Sequence, residues 1–210
     1  MHHFTPKTLR FLNDLAANNR RDWFEAHRGA YEQDVREPAL RLITAMEARI
    51  REVHPAFMAS PKKVGGSLFR IHRDTRFSGD KTPYKTHIGI TFFHAATRAT
   101  ARTADTGNAA RGRLDAPVFY LHIAPGASFM GGGIWHPQAP ALRQIREYLV
   151  DNPASWRAVT QGPAFARHYT LGGEVLVRPP KGFDAQRRYQ PLAPLVDWLC
   201  DALTLPTDGA

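Results

Sequence analysis

Apolar residues near the start of the chain recur every three to four positions: Leu9, Leu12 and Ala16, beside Phe11 and Leu15. That spacing predicts an amphipathic helix. Thr5-Pro6 supplies its start, a capping hydroxyl followed by proline at the first helical position, and Asn18-Asn19 its stop. Asn19 or Asp22 is then placed to cap a short second helix carrying Trp23, Phe24 and His27, with the two large aromatics as core anchors. Tyr31, Val35, Leu42, Met46, Ile50 and Val53 carry the same period into a long helix over about 30–53, in which Pro38 marks a kink or a new start.

From Ser67 the period shortens to two. Phe69 and Ile71 fall on one side and Leu68, Arg70 and His72 on the other, which predicts a half-buried strand over 67–73. Strands are also predicted at 87–94, 117–124, 127–132 and 174–178. In the third, Val118, Tyr120 and His122 share one face and Phe119, Leu121 and Ile123 the other. Gly131-Gly132-Gly133 predicts a bulge or a close backbone approach. Helices follow around Leu142, Ile145, Leu149 and Val150, then around Trp156 and Val159, and a terminal one carries Leu192, Leu195, Val196, Leu199 and Leu203. Residues 95–113 contain no large apolar side chain and read as a mobile insertion. The sum is one α+β domain, residues 1–210, with a mainly antiparallel sheet covered by the N-terminal and later helices.

Composition narrows the class. A chain of 210 residues, 43% hydrophobic and 22% charged, suits an ordinary single globular domain. No run of eighteen apolar residues offers a membrane span, and the first residues lack the apolar core of a signal peptide. The lone cysteine, Cys200, forms no internal disulfide, fits a reducing cytoplasm and reads as packing. Net charge is +9, and its distribution is uneven: residues 61–115 hold eleven Lys/Arg against four Asp/Glu, while the flanking segments are nearly balanced. A localised excess draws anions and raises their encounter rate.

That segment contains the densest chemistry in the chain. Residues 70–85 read Arg-Ile-His-Arg-Asp-Thr-Arg-Phe-Ser-Gly-Asp-Lys-Thr-Pro-Tyr-Lys, five fixed cations and two carboxylates in sixteen residues. Residues two apart on a strand face the same way at about 7 Å, so Arg70, His72 and Asp74 share a face. Ser78-Gly79-Asp80 and Thr82-Pro83 are turn formers that make 76–85 a loop. Arg70, Arg73, Arg76, Lys81, Tyr84 and Lys85 are the candidate ligand-binding residues, because guanidinium forks and ammonium groups suit oxyanions. His72 and Asp74 are the candidates for acid–base work. Parity puts Arg73 beside Phe69 and Ile71, which marks at least one arginine as structural.

Residues 70–84 fit Arg-x-x-Arg-Asp-x-Arg-Phe-x-x-x-Lys-x-x-Tyr and in this resemble the family catalogued as domain of unknown function 2461, whose members are bacterial and fungal proteins of about this length. Phe11-Leu12 through Asn18-Asn19 and Asp22-Trp23-Phe24 resemble its N-terminal block. Val118-Phe119-Tyr120 through Gly132-Gly133-Ile134-Trp135 and Pro137 resemble its central block, and Pro179-Pro180-Lys181-Gly182-Phe183 a later one. After Phe183 the chain departs from the family pattern, so 185–210 reads as a divergent C-terminal region. The resemblance implies a fold and no biochemical role.

Three functional readings follow, together with a structural one. The first is an enzyme or sensor for a small phosphorylated or carboxylated ligand, bound where the 74–86 loop meets Arg70, His72 and His122. The second is a basic nucleic-acid-binding module, supported by interleaved Phe77 and Tyr84 and four arginines of the insertion, without any helix-turn-helix, zinc-finger or ribonucleoprotein motif. The third is a metal site among His72, His87, His94, His122 and His136 with Asp74 and Asp80, none of which has a known ligand spacing. No Gly-x-Ser-x-Gly elbow or other hydrolase signature appears. Against all three, Arg73, Asp74, Arg76, Asp80 and Lys81 can form a purely structural ion-pair network. The residues name neither a cofactor nor an oligomeric state.

Overall fold

The computed structural model describes residues 3–63, 65–76, 78–95, 97, 116–134 and 137–168. The first helix, α1 (Pro6–Ala17), begins after an extended Thr5 and buries Thr8, Phe11, Leu12 and Leu15. It ends at Asn18, whose N–H donates to the Asp14 carbonyl at 3.0 Å. The second helix, α2 (Arg21–Ala26), is flanked by Arg20, and neither Asn19 nor Asp22 caps it. Both side chains are used elsewhere: Asp22 pairs with Arg20 at 3.1 Å, and the Asn19 amide bonds to Tyr84. Phe24 is buried as an anchor, whereas Trp23 is half-buried and stacks on His27 at 4.0 Å.

The long helix expected over 30–53 is three segments: α3 (Arg28–Tyr31), a π-helical turn (Glu32–Arg36) and α4 (Glu37–Val53). The wide turn accommodates Pro38, which has no N–H to offer the Asp34 carbonyl four residues earlier. The Thr8 hydroxyl donates to that carbonyl instead, at 2.6 Å. Tyr31, Val35, Ala39, Ile43 and Ile50 face the core, and Val53, expected in the stripe, is exposed. Burying side chains such as Ile43 contributes about 1.5–3 kcal/mol each.

Four antiparallel strands form the sheet, in the order β1 (Phe57–Met58), β2 (Ile88–His94), β3 (Val118–Ile123) and β4 (Phe129–Gly133). β1, with two residues, is too short to show a period and was not expected. Ile88, Ile90 and Phe92 of β2, with Phe119, Leu121 and Ile123 of β3, pack against the N-terminal helices. The expected division of β3 into two faces is therefore present. β3 and β4 pair residue for residue from Val118↔Gly133 to His122↔Phe129, so the glycines introduce no bulge, and open space lies beside Gly131 and Gly133.

The strand expected at 67–73 is not a regular strand. It makes two separate bridges, Leu68↔Ile90 on the β2 edge that also carries β1, and His72↔Tyr84 within the charged loop. The chain advances four positions from Leu68 to His72 but six from Tyr84 to Ile90. Two surplus residues break the ladder, as at a bulge. Phe69 and Ile71 consequently part company. Phe69 lies against Tyr120, while Ile71 joins Leu68 on the helix side.

A smaller cluster of Ile145, Leu149, Ile134, Trp156 and Val159 holds α5 (Ala139–Asp151) and α6 (Pro153–Thr160), followed by α7 (Pro163–Ala166). Leu142 and Val150 are half-buried. The strand expected at 174–178, the terminal helix, Cys200, and all of the 95–113 insertion except Ala95 and Thr97 lie outside the described residues. Among the described residues no helix is long and apolar enough to cross a membrane.

Candidate functional site

The charged loop is closed on itself by main-chain bonds. Arg73 N donates to Pro83 O and Lys85 N to Ile71 O, each at 2.8 Å. Its far end is gripped from the helical layer, where the Asn19 amide bonds both main-chain groups of Tyr84. The Tyr84 ring is buried and stacks on Phe24 at 4.2 Å. These contacts fix the ends of the loop in the fold.

Within it, most cations have partners. Arg76 makes a two-pronged contact with Asp74, Nε to Oδ1 at 2.9 Å and Nη2 to Oδ2 at 2.8 Å. Arg73 bonds both Asp80 and the Thr82 hydroxyl. Lys81 Nζ donates to Thr75 O at 2.9 Å, and Lys85 Nζ to Arg70 O at 2.8 Å. The Arg76 side chain, and then its N–H, hold the Asp74 carboxyl well below the usual carboxylate range. The Thr82 N–H, then Arg73, hold Asp80 down to about 2. Exposed pairs of this kind contribute little stability, so their effect is chiefly to set loop geometry.

Arg70 differs: it is exposed and has no carboxylate partner among the described residues. Its charge lies near Lys85, whose ammonium is pushed below its ordinary value first by burial and then by Arg70. His72, exposed beside Tyr84, is lowered by burial, then by Arg70 and Arg28. Glu25 is the one carboxylate favouring its charged form there, and Glu25 is engaged by Arg28 at 2.6 Å. Burial, then His122, Lys85 and Arg73, lower His87 to about 4. Like charges thus converge on Arg70 and Lys85, and the carboxylate that feels Arg70, Asp74, is held by Arg76.

Four residues next to this patch escaped the list of candidates drawn from sequence. His87 stacks on His122 at 4.3 Å, His122 stacks on Phe129 at 4.9 Å, and the Tyr120 hydroxyl hydrogen-bonds His122 Nδ1 at 3.0 Å. His87 had been considered only as a metal ligand, and His122 both as a metal ligand and beside the expected anion site. Among the described residues no group of three or more His, Cys, Asp or Glu could hold a metal ion. Phe77 and His136 lie outside the described residues. A groove of about 610 Å³, lined by residues including Phe4, Leu9, Ile123 and Ser128, contains none of the motif residues. Arg70, Arg76 and Lys81 are exposed, and Arg73 and Lys85 half-buried, away from that groove.

The molecule is thus an α+β protein in which a helical layer and an antiparallel sheet together present one cation-rich loop. It belongs to the family described as conserved hypothetical protein (DUF2461), whose model matches residues 7–202. The match runs past Phe183, through most of the region read as divergent. No curated protein and no solved structure matches the chain.

Proposed function

We propose that the loop presents a binding site for a phosphate-type oxyanion of a small ligand, with Arg70 and Lys85 as its direct contacts. The observation carrying this reading is the proximity of those two cations, neither paired with a carboxylate among the described residues, beside His72 and His87, on a loop where Arg73 and Arg76 are paired with Asp80 and Asp74. An anion between them relieves a repulsion the fold otherwise sustains. Arg73, Arg76 and Lys81 act as the frame, through Asp80, Asp74 and Thr75, and Tyr84 anchors it. Asp74, kept ionised by Arg76, is a weak base and serves to position that arginine. Burial, then Arg70, pushes His72 toward its neutral form, and it is the group suited to proton transfer if the site is catalytic.

The test is thermal stabilisation by inorganic phosphate. A ligand that binds only the folded state raises the melting temperature with concentration. Arg70→Ala is expected to abolish the rise without lowering the unliganded melting temperature, and Arg76→Ala to weaken it only partly. Stabilisation that survives Arg70→Ala overturns the assignment. A single-stranded nucleic acid would use the same cations, but its affinity would fall with salt at a log–log slope of several units. Such a slope with short oligonucleotides, and no response to phosphate, favours the nucleic-acid reading.

A further inference from the structure

The outer face of the sheet, opposite the N-terminal helices, carries rings that the anion site alone does not explain. His87, His122 and Phe129 form a near-parallel column, with 25° between the first two planes and 12° between the last two. Tyr120 lies 5.8 Å from Phe129, and Phe69 6.0 Å from Tyr120. None of these rings belongs to the buried core, and Phe129, on the edge strand β4, is 55% exposed. The Tyr120 hydroxyl fixes the orientation of the His122 imidazole. Gly89 clears the space beneath: a Cβ there would stand 2.7 Å from the Phe69 ring and 3.1 Å from the Tyr120 hydroxyl.

The floor adjoins the cations. Lys85 Nζ is 5.4 Å from the centre of the Phe69 ring, and Lys85 lies two positions before His87 in the chain. Burial pushes both imidazoles toward their uncharged form, and because His122 is sandwiched between His87 and Phe129, a ligand ring can stack on this column at its ends.

We propose that the ligand is a phosphate ester of a flat aromatic or heteroaromatic group, its phosphate on Arg70 and Lys85 and its ring against the His87–His122–Phe129 floor. This rests on the anion reading above and adds the class of molecule that bears the anion. Ring-on-ring stacking raises affinity by about fivefold to a hundredfold per ring.

Calorimetric titration of the full chain with four probes tests it: inorganic phosphate, ribose 5-phosphate, phenyl phosphate and adenosine 5′-monophosphate. The two ring-bearing esters are expected to bind about tenfold tighter than ribose 5-phosphate. Phe129→Ala, and independently His122→Asn, are expected to remove that advantage and leave the affinity for inorganic phosphate intact. Equal affinity for ring-bearing and ringless esters overturns the aromatic floor while the anion site stands. An advantage that survives both substitutions also overturns it. Failure of all four probes to bind overturns both readings.

Discussion

The Asn19 side chain pairs with the main chain of Tyr84 as a neighbouring strand would. Its Nδ2 donates to Tyr84 O at 2.9 Å, and its Oδ1 accepts from Tyr84 N at 3.0 Å. One amide thereby ties the corner between α1 and α2 to the end of the charged loop, 65 positions away. The Tyr84 ring, on Phe24, secures the same junction by packing. Local and distant parts of the chain meet through one polar side chain.

Asn19→Ala removes both bonds and leaves two main-chain groups of a buried residue without that partner. The expected loss is about 2 kcal/mol, read from the urea midpoint at unchanged slope. Asn19→Asp keeps the acceptor but sets a carboxylate against the Tyr84 carbonyl, and should cost at least as much. A shift below about 0.5 kcal/mol for the alanine variant would show that the junction is held by packing alone.

The Thr8 hydroxyl and Pro38 form a second long-range dependence. Thr8→Val keeps the shape, removes the donor to Asp34 O, and is expected to cost about 1–2 kcal/mol. In a Pro38→Ala background the main chain regains an N–H near that carbonyl, so the same change should cost less. A double-mutant cycle measures the difference, and strict additivity would break the proposed link.

Much of this fold is written in periodicity. The stripe of α1 and the two faces of β3 are readable because each element keeps one period from end to end. The 67–73 segment misleads because its residues alternate correctly while the opposing 84–90 segment carries two surplus positions, a mismatch no single strand reveals. Asn19 reads as a helix stop, since its partner is a distant main chain. The charge density at 70–85 locates the candidate site, but not which cation is left over. That depends on how Asp80 turns toward Arg73 and Thr82. The aromatic floor is hidden for a related reason: His122 and Phe129 meet only through the β3–β4 register.

Gly89 is the tightest of these positions. Gly89→Ala places a methyl group 2.7 Å from Phe69 and is expected to destabilise by about 1–3 kcal/mol through overpacking. Phe69→Leu should recover part of the loss, so the two changes are less than additive in thermal or urea unfolding. If Gly89→Ala is neutral, the rings have room to move and the floor is not rigid.

His87 makes stability depend on pH in a defined window. Burial first, then His122, Lys85 and Arg73, depress its folded pKa to about 4 from the ordinary histidine value of 6.5. Between these values the unfolded chain takes up a proton that the folded protein refuses. Stability should therefore rise with pH from about 4 to 6.5 and lose this dependence above it. His122, also lowered by burial, acts in the same direction. His87→Phe keeps a ring in the stack but removes the titrating group, and should flatten the urea midpoint between pH 4 and 6.5 relative to the parent protein. The half-exposed setting of His87 keeps the effect modest, because solvent screens the charges around it. A parent protein whose midpoint stays level across that window would show that His87 protonates in place, and that the stacked imidazoles are not held neutral by the fold.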